Sequence, residues 1–382
     1  MKITSIKIER LAVPLITPYH LSGEYGIFST ATPVIVTMTT DEELSGIGEC
    51  DPWPLFTGDS AESVMTVLTN HLAPMLIGCD PCNINELHRR MNAVIRNQLI
   101  AKSAIDMAAY DLLGKSSGLP VHALLGGKQR HSMPVMWSVG GSTPEECAKD
   151  VLTCMESGYV GCMIKVGTAD WRGDALRVAA ARDAVGSGFP LIVDANQGWD
   201  TDTAIRFWKQ IRNCDVLFFE QPVQSWDIEG MAKVRRVIDI PLSADESCAT
   251  PENARRLIAS DAADIFSIKV TKHGGILPAR RICELADING IQVFFNSMIE
   301  EGVTQAASLE LCVTCANLVD DIGHAFFSPL RLDGDICDYY KRIGRGYVLA
   351  SDRPGIGIEL DDEQMKKYRV ETDFIGEHQH DW

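Results

Sequence analysis

The chain is 382 residues long, enough for two packed units rather than one small domain. Hydrophobic residues make up 46% and charged residues 23%, the balance of an ordinary globular protein. With 52 acidic against 35 basic residues the net charge is −17, which argues against nucleic acid or an anionic membrane as partner. An anionic small molecule stays compatible, because a metal ion can reverse the field inside a cleft.

The first residues, MKITSIKIERLAVPL, interleave Lys2, Lys7, Glu9 and Arg10 with apolar positions. Neither the apolar core of a secretion signal nor a span of about 20 apolar residues is written there, and a cytoplasmic location is the default expectation. ITSIKIERLAVPL alternates as a strand, and TPVIVTMTTDEELSGIGEC reads as a hairpin turning at Asp41 and Glu42. From Ser60 to Leu113 the apolar positions recur at helical spacing, as in AIDMAAYDLLGK, until Gly118-Leu119-Pro120 breaks the pattern. Twelve cysteines are scattered between Cys50 and Cys337. The pairs Cys79/Cys82 and Cys312/Cys315 have a zinc-like spacing, but they lie far apart and no histidine pair accompanies them. They read as small buried hydrophobes.

After Pro134 short β-rich runs alternate with longer helical segments: PVMWSV, GCMIKV, PLIVDAN, VLFFEQP, IPLSADE, IFSIKV, IQVFFN and LVDDIGH. Eight such runs predict an α/β fold with a TIM-type parallel barrel, (β/α)8 or (β/α)7β. The helices TPEECAKDVLTCMESG and PENARRLIAS open with Thr or Pro start signals. A doubly wound sheet would show a G-x-G-x-x-G turn, and none occurs.

Barrels carry their chemistry at the C-terminal ends of the strands. Those ends supply Lys165, Asp194, Glu220, Asp245 and Lys269, at intervals of 24 to 29 residues. Three carboxylates converging on one rim repel each other unless a cation sits among them, and an all-oxygen donor set suits Mg²⁺. Taken singly, each acid would read as a solvated loop residue or a helix cap, and each lysine as a surface charge. Strands two and six face each other across an eight-stranded barrel, which sets Lys165 opposite Lys269. Burial and nearby positive charge are expected to hold both amines near neutrality, so that one accepts a proton from a carbon beside a carboxylate.

The stretches IKVG, VDANQGW, FFEQP, ADES, DIFSIKVTKHGGI and NSMIEEG, in this order, resemble the muconate lactonizing enzyme subgroup of the enolase superfamily across essentially the whole chain. The resemblance implies an α+β capping domain built from residues 1–127 and a C-terminal segment, 328–382, around a barrel at 128–327. It implies Mg²⁺ ligands at Asp194, Glu220 and Asp245, acid–base lysines at Lys165 and Lys269, support from Asn196, and Glu300 at the rim of strand seven. Met163 departs from the subgroup's usual Lys-x-Lys on strand two. Strand seven lacks the histidine of mandelate-racemase-like dehydratases, and IGHAFFSPL lacks the Asp-x-Asp usual in dipeptide epimerases.

Capping loops set specificity in this family, which singles out PYHLSGEYG with Tyr19, and DPWPLFTGDS with Trp53 and Phe56. Trp137 and Phe326, at the ends of strands one and eight, complete a set of aromatic groups able either to box a cationic nitrogen or simply to pack in a lid. The expected activity is racemisation, epimerisation or dehydration of an amino-acid or imino-acid derivative, such as a hydroxyproline or a betaine. A muconate-type cycloisomerase is the alternative, and a barrel that only binds metal and ligand is a further one. The expected partner is a small-molecule carboxylate, and the assembly a homo-oligomer.

Overall fold

The computed structural model describes residues 1–21 and 25–376. An antiparallel sheet of four strands joins the two ends of the chain. Ile3–Leu11 pairs on one side with Val34–Thr40, itself paired with Ser45–Cys50, and on the other side with Arg369–Gly376. Ile6 and Ile8, two apart and therefore on one face, are fully buried. The hairpin turns after Thr40 as the sequence reads, with Glu43 in the left-handed region at φ 61°.

The helix Leu99–Ser117 lies against this sheet and is buried on nearly every side, which explains its lack of a polar stripe. Gly46 and Gly48 make the contact feasible: a Cβ on Gly48 would stand 1.9 Å from the Ala104 carbonyl oxygen. Gly118, left-handed at φ 68°, ends the helix where the sequence breaks.

Seven parallel strands follow in sequential order: Trp137–Val139, Cys162–Lys165, Leu191–Asp194, Val216–Glu220, Leu242–Ala244, Ile265–Ile268 and Gln292–Phe295. The eighth run is reduced to two parallel bridges, Val293 to Leu318 and Val135 to His324, which span the gap between strands seven and one. The fold is thus the TIM-type barrel with its separate sheet domain. The helix Pro144–Glu156 starts in a capping box between Thr143 and Glu146, and Pro251–Ala259 in one between Thr250 and Asn253. Tyr347–Leu349 adds to Ser132–Pro134 beside the barrel, whereas Arg369–Gly376 reaches the capping sheet. Among the described residues no helix is long and apolar enough to cross a membrane.

Candidate active site

One charged or amide side chain leaves each of strands two to seven at its C-terminal end. Lys165, Asp194 and Glu220 are the last residues of their strands; Asp245, Lys269 and Asn296 come directly after theirs. The register keeps them level, with Lys165 opposite Asp194 and Asp194 opposite Glu220. All three carboxylates are completely buried, and the two lysines nearly so.

Each lysine holds its own carboxylate. Lys165 Nζ donates to Asp194 Oδ2 at 2.5 Å, and Lys269 Nζ donates to Asp245 Oδ2 at 2.5 Å. Glu220 accepts from Ser243 Oγ at 3.0 Å and from Asn296 Nδ2 at 2.8 Å. The remaining oxygen of Asp194 accepts the Asn196 backbone N–H at 2.9 Å.

The electrostatics follow from this pairing. Burial, then the charges of Asp194 and Asp245, drive the Glu220 pKa well above the carboxylate range. Burial works in the same direction on Asp245, but the Lys269 and Lys272 ammonium groups win and hold its pKa below the usual range. Burial pulls Lys165 down, yet the Asp194 charge, helped by Tyr19 and Glu220, leaves it above its ordinary value. Lys269 behaves alike: burial lowers it, Asp245, Glu246 and Glu220 raise it further, and Lys165 lowers it. The expectation of near-neutral amines is therefore corrected for the protein alone, because each amine sits on a carboxylate whose attraction exceeds the desolvation cost.

Among the described residues no three His, Cys, Asp or Glu side chains are drawn into a metal cage, since the lysines hold oxygens of Asp194 and Asp245. The donor set nevertheless fits a hard divalent cation. Burial, together with the charges of Asp194 and Asp245 on the adjacent strands, pushes Glu220 toward protonation, and such a cation offsets both the burial of charge and the repulsion.

Lys165 and Lys269 line one cavity together with Tyr19, Trp53, Phe56 and Asn196. The free space between them is about 30 Å³, room for roughly a water molecule, so a substrate enters only when the lid side chains shift. Phe56 lies under Lys269, its ring centroid 4.1 Å from Nζ. Asn196, left-handed at φ 43°, points its amide to Glu246 at 3.2 Å. In the loop PYHLSGEYG, residues 22–24 lie outside the described residues.

Three residues singled out from the sequence stand elsewhere. Glu300 is buried beneath the rim, accepting from Gln305 Nε2 at 2.7 Å and Ser297 Oγ at 2.8 Å; it braces the loop, while Asn296, Ser297 and Ile299 line the cavity. Phe326 points into the core against Phe295, and its neighbour Phe327, in the turn that leads into Ser328–Arg331, takes the cavity position. Trp137 stands outside the catalytic cavity, packed on Tyr159 and Phe327.

Three further residues escaped the sequence reading. Asn296 carried a signal, being the strand-seven member of the same register. Lys272, three residues after Lys269, donates to Asp245 Oδ1 at 2.6 Å and to the carbonyls of Asp245 and Ser267. Arg331 carried none. Its guanidinium centre lies 4.1 Å from the Tyr19 ring centroid and 4.2 Å from that of Trp137. Two of the aromatic groups expected to box a substrate cation, Tyr19 and Trp137, thus already hold one belonging to the protein.

Comparison with known proteins agrees with this architecture. Residues 3–126 match the mandelate racemase / muconate lactonizing enzyme N-terminal domain, and 146–364 the enolase C-terminal domain-like family. N-succinyl-L-Arg/Lys racemase of Bacillus cereus is 33% identical over 98% of this chain and 100% of its own, and its crystal structure superposes with a TM-score of 0.94. Muconate cycloisomerase 1 of Rhodococcus opacus is 30% identical over 96% of this chain and 98% of its own. A dipeptide epimerase of Cytophaga hutchinsonii, solved with Mg and the dipeptide D-Ala-L-Val, is 28% identical, covers 98% of this chain and 100% of its own, and superposes with a TM-score of 0.92. The chain belongs to the mandelate racemase/muconate lactonizing enzyme family of the enolase superfamily, a group whose matched members are racemases, epimerases and cycloisomerases.

Proposed function

We propose that the chain removes and returns the proton at the α-carbon of an N-substituted amino or imino acid, inverting that centre. The observation carrying this reading is the placement of Lys165 and Lys269, on strands two and six, in one cavity with Asp194, Glu220 and Asp245 beside them. Asp194, Glu220 and Asp245 would hold Mg²⁺, with Asn196 fixing Asp194 through its backbone N–H. The cation supplies charge to hold a substrate carboxylate and to stabilise the negative charge that develops on it when the α-proton leaves.

The lysines carry the proton transfers. Once Asp194 and Asp245 give their charge to a cation, the attraction that raises both amines weakens and the desolvation that lowers them remains. One amine then takes the α-proton at Nζ from its face, and the other delivers a proton to the opposite face. The Phe56 ring beneath Lys269, stacked on Trp53, lines this side of the cavity with apolar surface and would shield the exchanging proton from water. A β-hydroxyl on the substrate would turn the same first step into dehydration, with the second lysine as acid. A substrate with a permanent cation, such as a betaine, fits less well, because Tyr19 and Trp137 face Arg331.

Cycloisomerisation is the second reading, favoured by the cycloisomerase relatives. Incubation with Mg²⁺ in D₂O and a library of N-acyl, N-methyl and imino acids separates the two. Loss of the α-¹H signal on members of the library supports proton exchange. A library without exchange, alongside turnover of a muconate, replaces it with lactone chemistry.

A further inference from the structure

Ile299 holds a backbone conformation that its own side chain disfavours. Among the described residues nine other than glycine have positive φ, and eight of these are Asn, Asp, Gln or Glu. The ninth is Ile299, at φ 66°, where Cβ crowds the following carbonyl oxygen and branching makes the crowding worse. It lies in the loop between strand seven, Gln292–Phe295, and the helix Gly302–Cys312, and it is buried.

Side chains impose this turn. Asn296 Oδ1 accepts the Ser297 N–H at 2.8 Å, Glu300 Oε2 the Met298 N–H, and Ser297 Oγ the Ile299 N–H at 3.0 Å. Glu300 Oε2 also accepts the Ser297 hydroxyl at 2.8 Å, and Glu49 Oε1, from the capping sheet, accepts the Glu301 N–H at 2.8 Å. The loop's N–H groups are thus fixed by side-chain oxygens, which over-determines the turn enough to sustain strain at Ile299.

The return on that strain lies in the cavity. Met298 is buried away from it, whereas Ile299 lines it together with Lys165, Lys269 and Phe56. A glycine would relax the backbone at once and would take away only the branched apolar wall. With about 30 Å³ free beside the lysines, that wall occupies space a ligand could otherwise use. We propose that Ile299 is a specificity-determining residue whose side chain, turned into the cavity by the left-handed backbone, caps the size of the apolar group that a substrate brings in. This deepens the function proposed above and rests on it for the reaction followed, though not for binding.

Two variants separate strain from size. Ile299→Gly relieves both, while Ile299→Ala vacates nearly the same space but keeps a Cβ at positive φ. At an ordinary position alanine is the more stable of the two; here the order should invert, with the glycine variant melting higher. The probes are N-acetyl alanine, norvaline and norleucine, and alanine carrying acetyl, butyryl or hexanoyl on nitrogen. With Mg²⁺, the ratio of kcat/KM for α-deuterium exchange, largest probe to smallest, should rise in both variants along at least one series. The expected rise is about 10- to 200-fold, the range for one methylene in an apolar pocket, with Ile299→Val in between. Calorimetric binding of the same probes should shift likewise, and a merely structural role would weaken every probe alike. If the size order of binding shifts but nothing exchanges, the filter stands and the proton-transfer reading fails. Unchanged ratios in both series, or probes that bind neither wild type nor variants, overturn the filter. A higher melting temperature for Ile299→Ala than for Ile299→Gly removes the strain and with it the reason for assigning the wall.

Discussion

Lys269 and Lys272 grip opposite oxygens of one carboxylate, Asp245, at 2.5 and 2.6 Å. Their remaining bonds separate their duties. Lys272 also donates to two backbone carbonyls, of Asp245 and Ser267, which ties its ammonium to the barrel rim. Lys269 has Asp245 as its single hydrogen-bond acceptor among the described residues and lies over the Phe56 ring, so its amine is the one able to leave.

Lys272→Ala should therefore act on the fold as well as on turnover. Breaking a buried, multiply bonded ion pair costs about 3–5 kcal/mol, seen as a lowered midpoint in urea. Lys269→Ala leaves Asp245 still paired with Lys272, and should lower racemisation by about 10²–10⁴-fold with a much smaller change in that midpoint. Equal destabilisation by the two variants would remove the distinction.

Chelation should silence the enzyme without unfolding it. Because Lys165 and Lys269 neutralise Asp194 and Asp245 in the protein alone, the rim does not depend on a metal for charge balance. After EDTA treatment, circular dichroism should stay native while exchange falls to background, and added Mg²⁺ should restore it. Full exchange in the chelated protein would exclude Mg²⁺ from the chemistry.

A second acid cluster predicts how stability varies with pH. Glu49 and Asp51, on and just beyond the capping strand Ser45–Cys50, meet the barrel helix Gly302–Cys312, where Glu49 accepts the Thr304 and Glu301 backbone N–H groups. Burial pushes Glu49 up to about 7, and Asp335, beside Glu301, up to about 6 for the same reason. A carboxyl raised on folding binds more protons in the native state than in the unfolded chain. Its stabilisation is complete below the unfolded value of about 4 and is lost as pH rises through about 6 and about 7. The melting temperature should accordingly fall between pH 5 and pH 8, and Glu49→Gln should flatten that fall. A melting temperature that climbs over this interval would contradict the linkage.

Much of this was legible in the chain itself. The register of strand ends follows from a repeat of 24 to 29 residues, so Lys165, Asp194, Glu220, Asp245 and Lys269 could be named without coordinates. Asn296 obeys the same rule one strand further on. Other features depend on contacts between distant segments. Arg331 is brought to Tyr19 and Trp137 by the packing of three separate parts of the chain, and no local spacing encodes that. Phe326 and Phe327 differ by one position, and only the last turn of the backbone before Ser328 decides which faces the cavity. The ionisation of the lysines is not legible in the sequence, because it depends on the carboxylate each one contacts as well as on burial.

The stereochemistry of single-lysine variants tests the two-base arrangement most directly. Proton NMR in D₂O, with Mg²⁺ and each enantiomer of an exchanging substrate, should show Lys165→Ala washing the α-proton from one enantiomer without inverting it. Lys269→Ala should do the same for the other enantiomer, and neither variant should racemise. Retained racemisation in either variant, or loss of exchange from the same enantiomer in both, would show that the two amines do not serve opposite faces.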